Sequence, residues 1–241
     1  MKYDLIMLIL TSSDVPIYEE FKKTISMYHA RCTDRVKHFY VEFKPDIQED
    51  VLENGEFIYI KGNETFKPGI YNKTMAAMRH VNSKYDYKHI IRTNVSSFWN
   101  LENTLEFQKK LTIHDFAGGI VHLHNLIPFI TGTGIFITKD IAEKISNIKL
   151  QNDIECYDTV SNETRFCSIS QIFNEDVSFS IILQMIGCKI NDIGPDKWRL
   201  CINDSDSIDD FEYNELYYRV KNNDRNIDVI LFNKLYEKIY R

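Results

Sequence analysis

Several features that would settle the class of a chain outright are missing here, and each shortage excludes something. None of the five cysteines, Cys32, Cys156, Cys167, Cys188 and Cys201, stands in a Cys-x-x-Cys pair or at another metal-ligand spacing. An odd number scattered in this way excludes a disulfide framework and predicts reduced thiols in a reducing compartment. No apolar stretch approaches the ~20 residues that span a bilayer. The run Leu5–Leu10 is too short for a secretory leader, Asp4 interrupts its basic end, and no small-residue cleavage site follows. A cytoplasmic protein without a membrane span is therefore expected. Lysine and arginine number 29 against 35 acids, and they are interspersed rather than grouped. Neutralising a phosphate backbone needs clustered cations, so no nucleic-acid partner is expected. There is no internal repeat, no low-complexity tract and no clear linker.

What is present is an ordinary globular composition, 44% hydrophobic and 27% charged over 241 residues. That length suits one domain, 1–241, with a core that needs no staple. Leu5–Leu10 reads as a strand buried on both faces, the centre of a parallel sheet. Ser13 or Asp14 is the expected cap of the next helix, with Pro16 in its first turn and Ile17, Phe21, Ile25 and Tyr28 as its apolar stripe. Strands are predicted over Val36–Phe43, Phe57–Ile60 and Tyr87–Thr93, and helices over Tyr71–Asn82 and Leu101–Leu111. This order points to a mainly parallel α/β layer structure.

After Asp115 the pattern changes to two strands, Phe116–His122 and Phe129–Thr138, and a helix over Asp140–Ile148. A polar excursion follows over Gln151–Arg165. A helix over Glu175–Ile186 stops at Gly187, a natural left-handed position. Cys188–Ile193 is the last predicted strand, Asp204–Glu215 is acid-rich, and a helix covers Asn226–Tyr240.

Ligands of open α/β sheets sit beyond the carboxyl ends of the strands. Two polar clusters fall at such ends, Thr11-Ser12-Ser13 and the turn Arg92-Thr93-Asn94-Val95-Ser96-Ser97. Singly, each reads more readily as a turn or cap than as a site. Together, with Arg92 beside one of them, they suggest a binding edge.

The string Asp86–Phe98 resembles the central strand and metal-motif turn of GT-A glycosyltransferases, and most closely the small glycosyltransferases of giant and algal viruses. The resemblance implies a GT-A (Rossmann-like) fold: a mostly parallel central sheet flanked by helices, with a smaller antiparallel portion. It implies transfer of a sugar from a UDP- or GDP-sugar donor to a glycan or protein acceptor, in host cytoplasm if the chain is viral. In that family the turn carries Asp-x-Asp, whose carboxylates hold Mn²⁺ or Mg²⁺. Here Asn94-Val95-Ser96 stands in its place, a degenerate version. A hard cation wants anionic oxygens, so these residues argue against a firmly held metal. No histidine follows His124, so the late metal-binding histidine of some GT-A enzymes has no counterpart.

Further matches extend over most of the chain. Lys67–Thr74 resembles the loop and helix start that embrace the nucleotide, which makes Asn72 and Lys73 donor contacts beside Thr11, Ser12, Ser13, Arg92, Asn94 and Ser96. Thr131–Asp140 resembles the small-residue strand beside sugar and acceptor, which implicates Gly132, Thr133 and Gly134. Asn174-Glu175-Asp176-Val177 resembles the Glu-Asp-Val segment of inverting members, where a carboxylate takes the acceptor proton. That role falls to Asp176, with Glu175 in reserve; acids in a first helical turn are otherwise ordinary dipole partners. Tyr217–Arg225 resembles a segment of the virus-type relatives, and its Arg219, Lys221 and Arg225 are candidates for the leaving diphosphate or, equally, a solvated basic patch. Trp198 suits sugar stacking, though packing is the commoner role of a lone tryptophan. Two other readings stay open: a non-catalytic nucleotide- or carbohydrate-binding module, and a nucleotidyltransferase. The second lacks a glycine-rich phosphate loop after the first strand.

Overall fold

The computed structural model describes residues 2–112, 115–123, 127–148, 154–158, 163–167, 169–203 and 208–241. His124 lies outside the described residues. Strand β1 (Lys2–Leu10) is the expected central strand. Leu5, Met7 and Ile9 enter one core, and Ile6, Leu8 and Leu10 enter the other. Two buried faces are the reason its sequence is a continuous apolar run.

Helix α1 (Tyr18–His29) covers the first face with Phe21, Ile25 and Tyr28. The expected cap by Ser13 or Asp14 is not made. Ile17, packed against the core, takes the cap position without a side-chain bond, and backbone turns over residues 15–17 lead into the helix. Burial of an apolar side chain here overrides the usual preference for a capping oxygen.

Strands β2 (Val36–Phe43), β3 (Val51–Asn54) and β4 (Phe57–Ile60) follow. β3 is absent from the sequence reading, although Asn54-Gly55 carries its signal. Gly55 has φ 62° in the two-residue loop that joins β3 to β4. Helix α2 (Gly69–Lys84) leads to β5 (Asp86–Asn94), and after two residues the short strand β6 (Ser97–Trp99) runs into α3 (Leu101–Gln108).

Next come β7 (Phe116–Leu123), β8 (Ile127–Thr138) and α4 (Lys139–Ser146). Within the stretch expected as an excursion, β9 (Ile154–Asp158) and β10 (Glu163–Cys167) form an antiparallel pair. The chain ends with α5 (Ile169–Ile172), α6 (Glu175–Met185), β11 (Ile190–Asp192), β12 (Trp198–Ile202), β13 (Tyr217–Val220) and α7 (Arg225–Tyr240). Gly187, after α6, adopts φ 83° as its sequence position suggests.

The main sheet has the order β11-β7-β8-β5-β1-β2-β4-β3. Its centre, β5-β1-β2-β4, is parallel, and β8 and β3 run antiparallel to their neighbours. Helices α2, α4 and α6 pack on one face, α1 and α7 on the other. This is the expected α/β architecture. Among the described residues no helix is long and apolar enough to cross a membrane.

A second sheet, β12-β13-β6, stands at the carboxyl end of β5. The segment Tyr217–Val220, expected as part of a cationic loop, is a strand because Tyr217, Tyr218 and Val220 are all buried. Tyr240 of α7 ties this corner together. Its hydroxyl accepts from the Leu101 N–H at 2.7 Å and donates to the Trp99 carbonyl at 2.9 Å.

Between α1 and β2, the rings of His29 and His38 lie 4.2 Å apart. Neither nitrogen of His29 has a partner among the described residues. Burial first, and the His38 ring second, depress His29 well below the ordinary imidazole value; burial lowers His38 and His89 as well. These rings take up protons less readily in the fold than in the unfolded chain, which does so below about pH 6.5. Stability present above that pH is therefore lost as pH falls toward the lower folded values. We expect Tm to drop between about pH 6.5 and pH 5, and His29→Leu to flatten the drop. Thermal unfolding at stepped pH measures this, and a Tm constant over that range would refute it.

Candidate functional site

The two polar clusters do meet at the sheet edge. Leu10 is in register with Asn94, and the Val95 N–H donates to the Leu10 carbonyl at 3.1 Å. Arg92, however, points inward and is only 3% exposed. Its Nε and Nη2 bind the two oxygens of Glu175 at 2.8 and 2.7 Å. Thr74 donates to the same carboxylate at 2.9 Å. The third guanidinium nitrogen, Nη1, donates to Asn94 Oδ1 at 3.1 Å and to the Gly132 carbonyl. Burial pushes the Glu175 carboxyl above its usual range, with Arg92 pulling the other way.

Asp176, the next residue, has different partners. Its Oδ2 accepts from the Gly132 N–H at 3.1 Å, and its Oδ1 from the Val177 N–H at 3.0 Å. Gly132 is thus clasped from both sides, by Arg92 at its carbonyl and by Asp176 at its N–H. A Cβ at this position would lie 2.8 Å from Arg92 Nη1. The result is a pocket of about 180 Å³ over the end of β5, lined by Asn94, Gly132, Thr133, Asp176, Phe66 and Ile70 among others. It brings together Arg92, Asn94, Gly132, Thr133, Glu175 and Asp176 from three separate stretches of sequence.

Phe66 at the pocket is a residue that sequence reasoning missed. It is 63% exposed, on a loop braced by Lys67 Nζ on the Ile172 carbonyl (2.8 Å) and by the Lys73–Glu64 pair (2.7 Å). The available signal was a bulky ring in an otherwise polar loop. Gly134 is turned elsewhere: a Cβ there would sit 2.6 Å from the Tyr217 ring and 3.0 Å from Trp99. Gly134→Ala should cost about 1–3 kcal/mol through overpacking, measured by urea unfolding; an unchanged midpoint would contradict this packing.

The other donor-side candidates spread out along the edge. Lys73 is buried, donates to the Thr11 carbonyl at 2.8 Å and pairs with Glu64. Burial lowers its pKa against the opposing pull of Glu64. Ser12 and Ser13 stay in the outer loop. Asn72 is exposed and lines a different groove, beside the residues that join β4 to α2. Ser96 is buried, and its carbonyl accepts from the Val220 N–H at 3.2 Å.

The three late cations do not act alike. Arg219 lies opposite Ser97 in the small sheet, and its Nη1 is enclosed without a partner among the described residues. Burial, then the charge of Arg225, brings its pKa down to about 10. Thr11 Oγ1 and Ser97 Oγ are likewise enclosed and unpartnered among the described residues. Arg225 instead pairs with the buried Asp228, and Lys221 is exposed.

Trp198 is not in the pocket with Gly132. Its indole packs on Gly119, where a Cβ would overlap it, and stacks on Tyr217 with ring centres 6.4 Å apart. Tyr217 OH lies 3.3 Å from Thr133 Oγ1, so the Tyr217 ring separates Trp198 from the pocket. Trp198 lines instead a cleft of about 740 Å³ on the side of α3. Among the described residues no group of three or more His, Cys, Asp or Glu side chains is placed to hold a metal ion.

No family model matches the chain, and no curated protein matches it in sequence. Solved structures do match. One is a glycosyltransferase involved in glycosylation of the major capsid of PBCV-1, with TM-score 0.56 and 10% identity over 95% of this chain and 98% of that one. Another is the galactosyltransferase LgtC in complex with donor and acceptor sugar analogs. Its TM-score is 0.54, with 7% identity over 98% of this chain and 96% of that one. At such identities the likeness is one of fold. The chain has the GT-A glycosyltransferase fold over nearly its whole length.

Proposed function

We propose that the chain transfers a sugar from a nucleotide-sugar donor to an acceptor hydroxyl, with inversion at the anomeric carbon. The observation that carries this reading is Asp176. Two backbone N–H groups pin its carboxylate at the start of a helix, beside a pocket at the carboxyl end of the central strands. A fixed carboxylate facing a small polar pocket suits general-base work. As the acceptor oxygen bonds to the anomeric carbon, its proton passes to Asp176. The bond from that carbon to the phosphate oxygen breaks, and a nucleoside diphosphate leaves.

Glu175 is tied up in a bidentate ion pair with Arg92 and takes the Thr74 hydroxyl as well, so it serves as the partner of Arg92 rather than as the base. For the same reason Arg92 is not the cation of the diphosphate. That role suits Arg219, which lies opposite Ser97 and keeps a nitrogen unpaired among the described residues, with the exposed Lys221 near it in sequence. Thr11, Ser12, Ser13 and Lys73 would border the nucleoside side. A divalent ion fits poorly at Asn94-Val95-Ser96. The Asn94 oxygen already accepts from a guanidinium 3.1 Å away, and a fixed cation there repels a second one.

The test is incubation with a panel of UDP- and GDP-sugars, with and without chelator, scored by release of nucleoside diphosphate. Binding without turnover throughout would favour a non-catalytic module, and release of pyrophosphate would mark a nucleotidyltransferase. Phe66 gives a sharper expectation, because an aromatic ring held out at a pocket suits stacking on sugar or base. Phe66→Ala should raise KM about 5–10-fold, the loss of ~1–1.5 kcal/mol, with kcat and Tm nearly unchanged. An unaltered KM would remove Phe66 from the site.

A further inference from the structure

The cleft beside Trp198 is separate from the transfer pocket, and its chemistry is of a different kind. It is built by one face of α3 (Asn103, Glu106, Phe107) with Lys110 just beyond it, the turn before β12, and the segment that enters β13. At about 740 Å³ it falls within the ~300–1,000 Å³ usual for small-ligand sites. Both signs of charge line it; most are paired locally, and Lys110 and Glu212 add one charge of each sign. Asp196 pairs with Lys197 at 2.7 Å, Arg199 pairs with Glu215, and Glu106 pairs with Lys109 at 2.6 Å. Such a lining exerts little net field, so it gives no preference to an anion or a cation. It does offer donors and acceptors together, from amides, ammonium groups and carboxylates, beside apolar surface from Phe107 and Trp198.

The floor is also rigid. Trp198 is fixed between Gly119 and Tyr217, and Asn103 holds the entry to β13 by donating to the Tyr213 and Glu215 carbonyls at 3.3 and 3.4 Å. A prebuilt wall needs little ordering when a ligand arrives.

We infer that this cleft binds a neutral oligosaccharide, distinct from the sugar held at Asp176. A neutral carbohydrate matches it on each count. It carries hydroxyls that both give and accept hydrogen bonds, C–H surface for the Phe107 ring and the open edge of Trp198, and no charge to leave unpaired. The inference leans on the glycosyl-transfer reading only for carbohydrate being the ligand at hand. The cleft itself does not depend on Asp176.

The test is an NMR titration of the ¹⁵N-labelled full chain with maltotriose, cellotriose and N,N′,N″-triacetylchitotriose. Glu106→Ala/Lys110→Ala supplies the cleft variant, since both side chains are exposed and outside the core. Saturable shifts at Asn103, Lys110 and Trp198 are expected with at least one sugar. They should weaken about tenfold in the cleft variant, the loss of two hydrogen bonds, and persist in Asp176→Asn. Three results would overturn the inference: no saturable shift with any of the three, shifts confined to Asn94, Gly132 and Asp176, or shifts with a heparin disaccharide or an acidic peptide but none with the neutral sugars. If transfer fails while cleft binding holds, the reading of Asp176 falls and the cleft stands. If transfer succeeds with no cleft binding, the reverse is true.

Discussion

Arg92→Met should destabilise the fold by about 3–5 kcal/mol, the usual penalty for removing one member of a buried ion pair. Arg92 and Glu175 are fully enclosed and bound through both carboxylate oxygens. Without the guanidinium, Glu175 keeps only the hydroxyl of Thr74 against its desolvation. Its carboxyl, already raised by burial, would rise further. A raised carboxyl pKa means stability present at low pH and lost as pH climbs through the folded value, so the defect should shrink in acid. The double variant Arg92→Met/Glu175→Met should recover most of the loss, because an apolar pair fills the space without a buried charge. Guanidinium unfolding of the three variants measures this. A single variant within about 1 kcal/mol of the parent would mean that the pair is open to water.

Asp176→Asn should produce the opposite pattern. The amide oxygen can still accept from one of the two backbone N–H groups, while Nδ2 faces the other, so Tm should fall only by the loss of about one hydrogen bond, ~1 kcal/mol. Transfer should fall by about 10²–10⁴-fold, since an amide takes no proton from the acceptor hydroxyl. Glu175→Gln, one residue earlier, should damage stability first and rate only through it. The comparison uses turnover and unfolding on the same preparations. Equal activity of Asp176→Asn and parent would sink the general-base assignment. A large Tm loss in Asp176→Asn would recast the residue as structural.

The parts legible in the sequence are those where a local pattern answers to one physical cause. Leu5–Leu10 is apolar at every position because both its faces are covered, and so it announces a central strand. Gly187 announces the stop of α6 because the backbone there needs positive φ. The Glu-Asp-Val segment drew attention to both acids, but not to their different contacts, Glu175 with Arg92 and Asp176 with the Gly132 N–H. Adjacent carboxylates look alike in a string, and only the fold turns one inward to Arg92, 83 residues away. Gly132 and Gly134 pose the same problem: one is clasped at the pocket, the other packs against Tyr217 and Trp99. Trp198 was read with the sugar pocket, yet the Tyr217 ring lies between them. In Tyr217–Arg225 the cations drew attention away from Tyr217, Tyr218 and Val220, whose burial makes a strand.

Tyr240 also bears on how the molecule comes into being on the ribosome. It closes the first N–H of α3 from 139 residues downstream, and its ring stacks on Tyr28 near the start of the chain. During translation the faces of Tyr28 and Phe98 must wait until α7 has been made. Contacts of such long sequence separation slow folding and leave sticky rings uncovered in the nascent chain. This corner therefore sets only after α7 has been made, and the growing polypeptide is vulnerable to aggregation until that helix emerges.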